Sequence, residues 1–239
     1  MPSHSRTGYS DALPDTVGYD LGFLQPWSYQ TYFDDFNIFT AAQWTVTETQ
    51  AGATQLGASG DGGWYQTVNS AASGDYSTIQ HGVSGVSPVQ FFIDSSTDWG
   101  FVAKFKVDNV ATGPICVLGL QAAVATPDTP VNGVYLITGA LGAISFSMTK
   151  ASVTSTVLTS GLMAADTFAE VGFFYDANKS IVKVYKDGAQ IAEQSTLTNI
   201  PLISTGLGTT ISLKNATAAA RTMTVDYVMA TKRRMAQWS

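Results

Sequence analysis

Glutamate, histidine, cysteine and charge in general are scarce in this chain. Of its 239 residues, three are glutamate (Glu48, Glu170, Glu193), two are histidine (His4, His81) and one is cysteine (Cys116). One cysteine excludes an intrachain disulfide, so nothing points to a secretory route. Its setting, Ile115-Cys116-Val117-Leu118, reads as a buried, inert thiol. Two histidines and one cysteine cannot supply a structural zinc site. No glycine-rich loop leads into a helix, which excludes a phosphate cradle of that kind. The longest apolar stretch, residues 115–125, is interrupted and too short to span a membrane. Residues 1–6 are followed by no apolar core, so no signal peptide is expected.

Charged residues make up 13% of the chain, about half the usual share. The net charge is −6, with 18 acids against 12 bases, which argues against a nucleic-acid partner. The only basic cluster, Lys232-Arg233-Arg234, reads as a solvated tail. The scatter of the glutamates bears on catalysis, because a glycosidase needs two carboxylates flanking the scissile bond. Glu170 and Asp176 share a strand, but six residues set them about 20 Å apart. Asp34 and Asp35 are adjacent, and on a strand they face opposite ways. The expectation is therefore that the chain is not an enzyme.

What is present is alternation. In Trp99–Val107 the odd positions are apolar and both lysines fall on the other face, the mark of a half-buried strand. Val171, Phe173 and Tyr175 share one face of 168–175. Val182 and Val184 oppose Lys183 and Tyr185 in 180–186. Asp187-Gly188 is a strong hairpin signal. Met223, Val225, Tyr227 and Met229 alternate with Thr222, Thr224, Asp226 and Val228. Further strands are expected at 90–94, 114–121, 133–138, 143–149, 152–159, 189–195 and 209–215. No segment carries a helical period with caps. The pattern predicts an all-β, antiparallel sandwich of roughly a dozen strands with no internal linker. Its 239 residues can bury a sizeable core without disulfides or metal.

Residues 1–30 stand apart. They hold Pro2, Pro14 and Pro26 with no sustained periodicity, and read as an extended arm. Leu21, Phe23, Leu24 and Trp27 in it need a surface to cover them, on this domain or on a neighbouring subunit. The jelly roll is expected over 31–232 and a short tail over 233–239.

The segments Phe168-Ala169-Glu170-Val171-Gly172-Phe173-Phe174-Tyr175-Asp176-Ala177 and Val182-Lys183-Val184-Tyr185-Lys186-Asp187-Gly188 resemble paired strands of the laminin-G/concanavalin-A-like jelly roll. The opening Tyr32-Phe33-Asp34-Asp35-Phe36, with Trp44 beyond it, and the closing Val225-Asp226-Tyr227-Val228 are also similar. The fold group includes lectins, glycan-binding modules, glycoside hydrolases and accessory proteins of bacteriophage virions. Its hydrolases set their acids in a Glu-x-Asp-x-x-Glu pattern that this chain lacks. The arm and low charge are most similar to the phage group. The resemblance then implies a virion capsid decoration or cement protein that contacts the major capsid protein or other virion proteins. It would be a homo-oligomer, a trimer before other sizes, made in the host cytoplasm without secretion. Its contacts would come from Leu21, Phe23, Leu24 and Trp27. The alternative is a lectin-like carbohydrate-binding module, with Trp64, Tyr65 and Tyr76 as glycan contacts. No cofactor is expected. Calcium, held by many lectins of this fold, would draw on Asp34, Asp61 and Asp226, with Asp35 beside them.

Overall fold

The computed structural model describes residues 29–49, 54–58, 63–82 and 90–234. Fifteen strands run through them: β1 (Tyr29–Asp34), β2 (Trp44–Glu48), β3 (Thr54–Ala58), β4 (Trp64–Val68), β5 (Tyr76–His81), β6 (Trp99–Val107), β7 (Ile115–Gln121), β8 (Gly133–Thr138), β9 (Ala143–Lys150), β10 (Val153–Leu162), β11 (Ala169–Asp176), β12 (Ile181–Lys186), β13 (Ala189–Gln194), β14 (Gly208–Lys214) and β15 (Thr222–Arg233). One sheet is ordered β13-β12-β11-β6-β15-β4-β3, with β1 also on β15. The other is ordered β10-β9-β8-β7-β14-β5-β2. Every pairing is antiparallel. The result is a jelly-roll sandwich, as the alternation predicts.

Alternation places the core. From β6, Trp99, Phe101, Ala103, Phe105 and Val107 point between the sheets, and all are buried. Phe173 and Tyr175 of β11 join them. Trp99 stacks on Tyr175 at 4.9 Å, and Phe173 meets Phe146 of the opposite sheet at 5.0 Å. Fully burying one such ring contributes about 1.5–3 kcal/mol, so this aromatic seam fastens the two sheets together. The Asp187-Gly188 turn closes the β12–β13 hairpin with both φ angles positive, 49° and 78°, as a two-residue hairpin turn requires.

Four expectations are corrected. Residues 90–94 form no strand: Phe91 makes an isolated bridge to Leu207, and Asp94 Oδ1 accepts the Ser96 and Thr97 amides in a tight turn. Residues 76–81, absent from the expected strands, form the fully buried β5, and His81 is 5% exposed. Its polar side chains are matched by β14: Thr78 pairs with Ser212 at 2.7 Å, and Gln80 Nε2 donates to Thr210 at 2.9 Å. The alternation in β15 breaks at a bulge between Val225 and Tyr227. Val225 and Val228 therefore face the core, while Tyr227 and Met229 face outward. Basic residues at the end of β15 are also not merely solvated. Lys232 is 9% exposed, and Arg233 reaches Asp98 at 3.4 Å.

The outer faces of the two sheets differ in character. Val102, Tyr185 and Met229 form a second apolar cluster on the outside of the eight-stranded sheet, with Phe174 and Tyr227 against it. The outside of the seven-stranded sheet is lined by hydroxyls and amides. One row crosses all seven strands: Thr156, Ser147, Tyr135, Gly119, Thr210, Gln80, Thr45.

Candidate functional site

The hydroxyl row arises because the outward alternates of β9 and β10 are Ser145, Ser147, Thr149 and Thr154, Thr156. Short β-branched and hydroxyl residues suit a pleated surface, and here they pair across strands. Ser147 meets Thr156 at 2.9 Å, and Thr149 meets Thr154 at 2.8 Å. The Tyr135 hydroxyl lies 3.3 Å from Thr149 Oγ1. Burial pushes the Tyr135 phenol above its ordinary value, so it stays a neutral hydrogen-bonding group at physiological pH.

The β7–β8 loop, residues 122–132, folds back over this face. Gln80 Nε2 donates to the Ala122 carbonyl at 3.2 Å, and the Val124 amide returns a bond to Gln80 Oε1 at 3.1 Å. The Tyr76 hydroxyl donates to the Ala125 carbonyl. Gln121 Nε2 donates to the Pro127 carbonyl at 2.8 Å. Lys214 Nζ bridges to Asp128 Oδ2 at 2.6 Å. These anchors come from β5, β7 and β14, so the loop tethers to that half of the face.

Over β8, β9 and β10 a pocket of about 330 Å³ remains. Asp128, Thr129 and Pro130 of the loop form one wall. The floor and far wall come from Tyr135 and Ile137 of β8, Ser145 and Ser147 of β9, Ser152 of the following turn, and Thr154 and Thr156 of β10. Seven of these ten side chains end in a hydroxyl. The only ionised one, Asp128, is paired with Lys214. Six of the seven strands of this sheet carry neither Asp nor Glu. The exception is Glu48 of the edge strand β2.

The residues singled out from sequence are not brought together. Leu21, Phe23, Leu24, Trp27 and Asp61 lie outside the described residues. Tyr65, read as a glycan contact, is 1% exposed and packs between the sheets against Phe36 and Phe39. It cannot reach a ligand, and that expectation is corrected. Trp64 is half-buried at the start of β4, in the other sheet. Tyr76 is on the pocket's sheet, but it anchors the loop rather than lining the pocket. Asp34 accepts the Phe36 amide at 2.8 Å and the Tyr32 hydroxyl at 3.0 Å. Asp226 sits at the β15 bulge, paired with Lys104 at 2.7 Å. Asp35 accepts from Asn37. Among the described residues, no three His, Cys, Asp or Glu side chains are grouped to hold a metal ion. The pocket residues were missed although the Ser/Thr alternation at 145–149 and 154–156 was visible, because alternation does not say which face a loop will roof.

The sequence matches no protein-family profile and no curated protein. Solved structures share the fold. One is an endo-1,3-beta-glucanase from Streptomyces sioyaensis, 12% identical, with a TM-score of 0.59 over 86% of this chain and 96% of that one. Another is a mixed-linkage glucan GH16 protein of Bacteroides ovatus in complex with a product, 10% identical, with a TM-score of 0.59 over 83% and 99%. A third is the carbohydrate recognition domain of Emp46p in its metal-free form, 10% identical, with a TM-score of 0.54 over 83% and 94%. At such identities the likeness establishes the fold, a concanavalin-A-like jelly roll. It also corrects one expectation. The scattered glutamates were read as pointing away from an enzyme, yet chains of this same architecture include endo-glucanases, so that expectation does not stand.

Proposed function

We propose that this protein is a lectin-like carbohydrate-binding domain and that its site is the pocket over β8–β10. The observation that carries the reading is the lining: seven hydroxyl side chains out of ten in a 330 Å³ depression. Sugars present arrays of hydroxyls that both donate and accept, and Ser, Thr and Tyr answer in both senses. The volume lies at the lower end of the ligand-pocket range, about 300–1,000 Å³. The proteins of similar structure, a carbohydrate recognition domain and two glucan-related proteins, agree with this reading. The virion reading leans on residues 1–30, most of which lie outside the described residues, and on no similar structure cited above.

The test is a glycan array probed with the wild-type protein and with Ser145→Leu, which puts an apolar branch into the pocket from a half-exposed position of β9. Binding to at least one class of glycan is expected, with loss of signal in the variant. An array with no wild-type signal overturns the proposal, as does a variant that binds as well as the parent.

A further inference from the structure

The pocket is closed on two sides. Across the strands, the 122–132 loop blocks the way toward β7, tied down by the Lys214–Asp128 pair and by Gln121. Along the strands, the β9–β10 turn is stitched to the same loop. The Ala151 amide donates to Asn132 Oδ1 at 3.1 Å, and the Ser152 amide to the Val131 carbonyl at 2.9 Å. Loop and turn therefore meet in a corner, and Ser152 and Asp128 both line the pocket there. The remaining floor is three strands wide, about 10 Å between the outer two. Ala151 and Ser152 hold positive φ angles of 49° and 64°, a conformation costly for non-glycine residues, and the two bonds to the loop keep the turn there.

The charge pattern is equally restrictive. No Lys, Arg or His lines the pocket. The nearest ammonium bonded to a lining group, Lys214, is held by Asp128 at 2.6 Å. An anionic sugar would find no cation and would face the Asp128 carboxylate, an unfavourable like-charge approach. A neutral sugar meets mainly hydroxyls, with Pro130 and Ile137 as apolar patches and an Asp128 carboxylate that can accept from its hydroxyls.

Resting on the carbohydrate reading above, we infer that the pocket holds the uncharged terminal unit of a glycan, not a stretch of its interior. A chain entering the corner stops against loop and turn, so only its end units gain contacts.

The experiment is calorimetric titration of the full chain with neutral oligosaccharides of one to six units, taken from the series that the array returns, alongside their uronic-acid counterparts. Affinity is expected to rise from one unit to two and to stay flat beyond. Affinity that keeps climbing to six units, or equal binding of oligomers blocked at both ends, overturns the terminal-unit inference. Uronic-acid forms are expected to bind about two- to fivefold more weakly than neutral ones. Equal binding overturns the charge part. Asp128→Asn, which leaves Lys214 unneutralised, and Thr129→Lys, which adds a cation without touching the pair, are each expected to narrow that gap. If neither does, the charge argument fails. No heat with any sugar overturns the carbohydrate reading itself, a result distinct from either failure.

Discussion

The Tyr32 ring stacks on the His81 imidazole, with centroids 4.1 Å apart and planes inclined by 21°. Trp44 closes the other approach edge-on at 5.4 Å. Burial among these rings lowers the His81 pKa from 6.5 to about 4. A histidine held neutral in the fold binds fewer protons than the unfolded chain does between those values. Stability is then unaffected by this group above about pH 6.5 and falls as pH drops from 6.5 toward 4. Asp34, which bonds Tyr32, works in the opposite sense, because burial raises its pKa. A His81→Gln variant separates the two. The wild type is expected to lose about 2–4 °C more of its melting temperature than the variant between pH 7 and pH 4.5, after allowance for solvent screening. Parallel pH profiles would show that His81 does not titrate in this range.

Gly119 sits in the middle of the hydroxyl row, beside Tyr135. A Cβ there would lie 2.4 Å from the Val134 carbonyl oxygen and 2.6 Å from Tyr135 Cα. Both obstacles are backbone of the paired strand, so neither can swing aside. Gly119→Ala is expected to cost about 3 kcal/mol in urea unfolding. In whatever fraction stays folded, Tyr135 is pushed into the pocket, so glycan binding weakens as well. A variant as stable as the parent would mean that β7 and β8 can separate locally.

Where one face of a strand is apolar and the other charged, its place was plain from sequence. Lys104 and Lys106 marked the outside of β6, and Asp187-Gly188 marked the β12–β13 turn. β5 was hidden because Ser77, Thr78 and Gln80 look like loop residues until Ser212 and Thr210, more than a hundred positions away, bond to them. The bulge in β15 turned Tyr227 and Met229 outward, which strict period-two reading cannot anticipate. The pocket also depends on partners remote in sequence: Asp128 and Lys214 are 86 residues apart. The Ser/Thr alternation that lines it was legible. The loop that turns an ordinary polar face into a pocket was not.

The β9–β10 turn offers a stability gain. Ala151 and Ser152 both occupy left-handed backbone, with φ of 49° and 64°, where an asparagine followed by a glycine is the preferred pair for a two-residue hairpin. Combining Ala151→Asn with Ser152→Gly keeps both amides, and so keeps the bonds to Asn132 and Val131. The double change is expected to stabilise the fold by about 1 kcal/mol. Thermal unfolding reads this as a rise of about 2–4 °C. A fall would mean that the Ser152 side chain, which lines the pocket, contributes more to the corner than its backbone strain costs.

Cys116 provides an internal reporter of global opening. Its side chain is fully buried in the core, and burial pushes the thiol up to about 12. The thiolate is the reactive form, so at pH 8 the folded protein holds almost none of it and shields what there is. In the unfolded chain the thiol returns to its ordinary range, about 8.5, and becomes accessible. As the single cysteine, it gives an unambiguous signal. Labelling with a chromogenic disulfide reagent at pH 8 is expected to be slow without denaturant and to accelerate with urea in step with loss of the native fluorescence signal. The strand carrying Cys116 lies between β8 and β14 at the centre of its sheet, so partial fraying at β2 or β10 should leave it protected. Rapid labelling of the native protein would show instead that the sheet opens at its centre, between the hydroxyl row and the core.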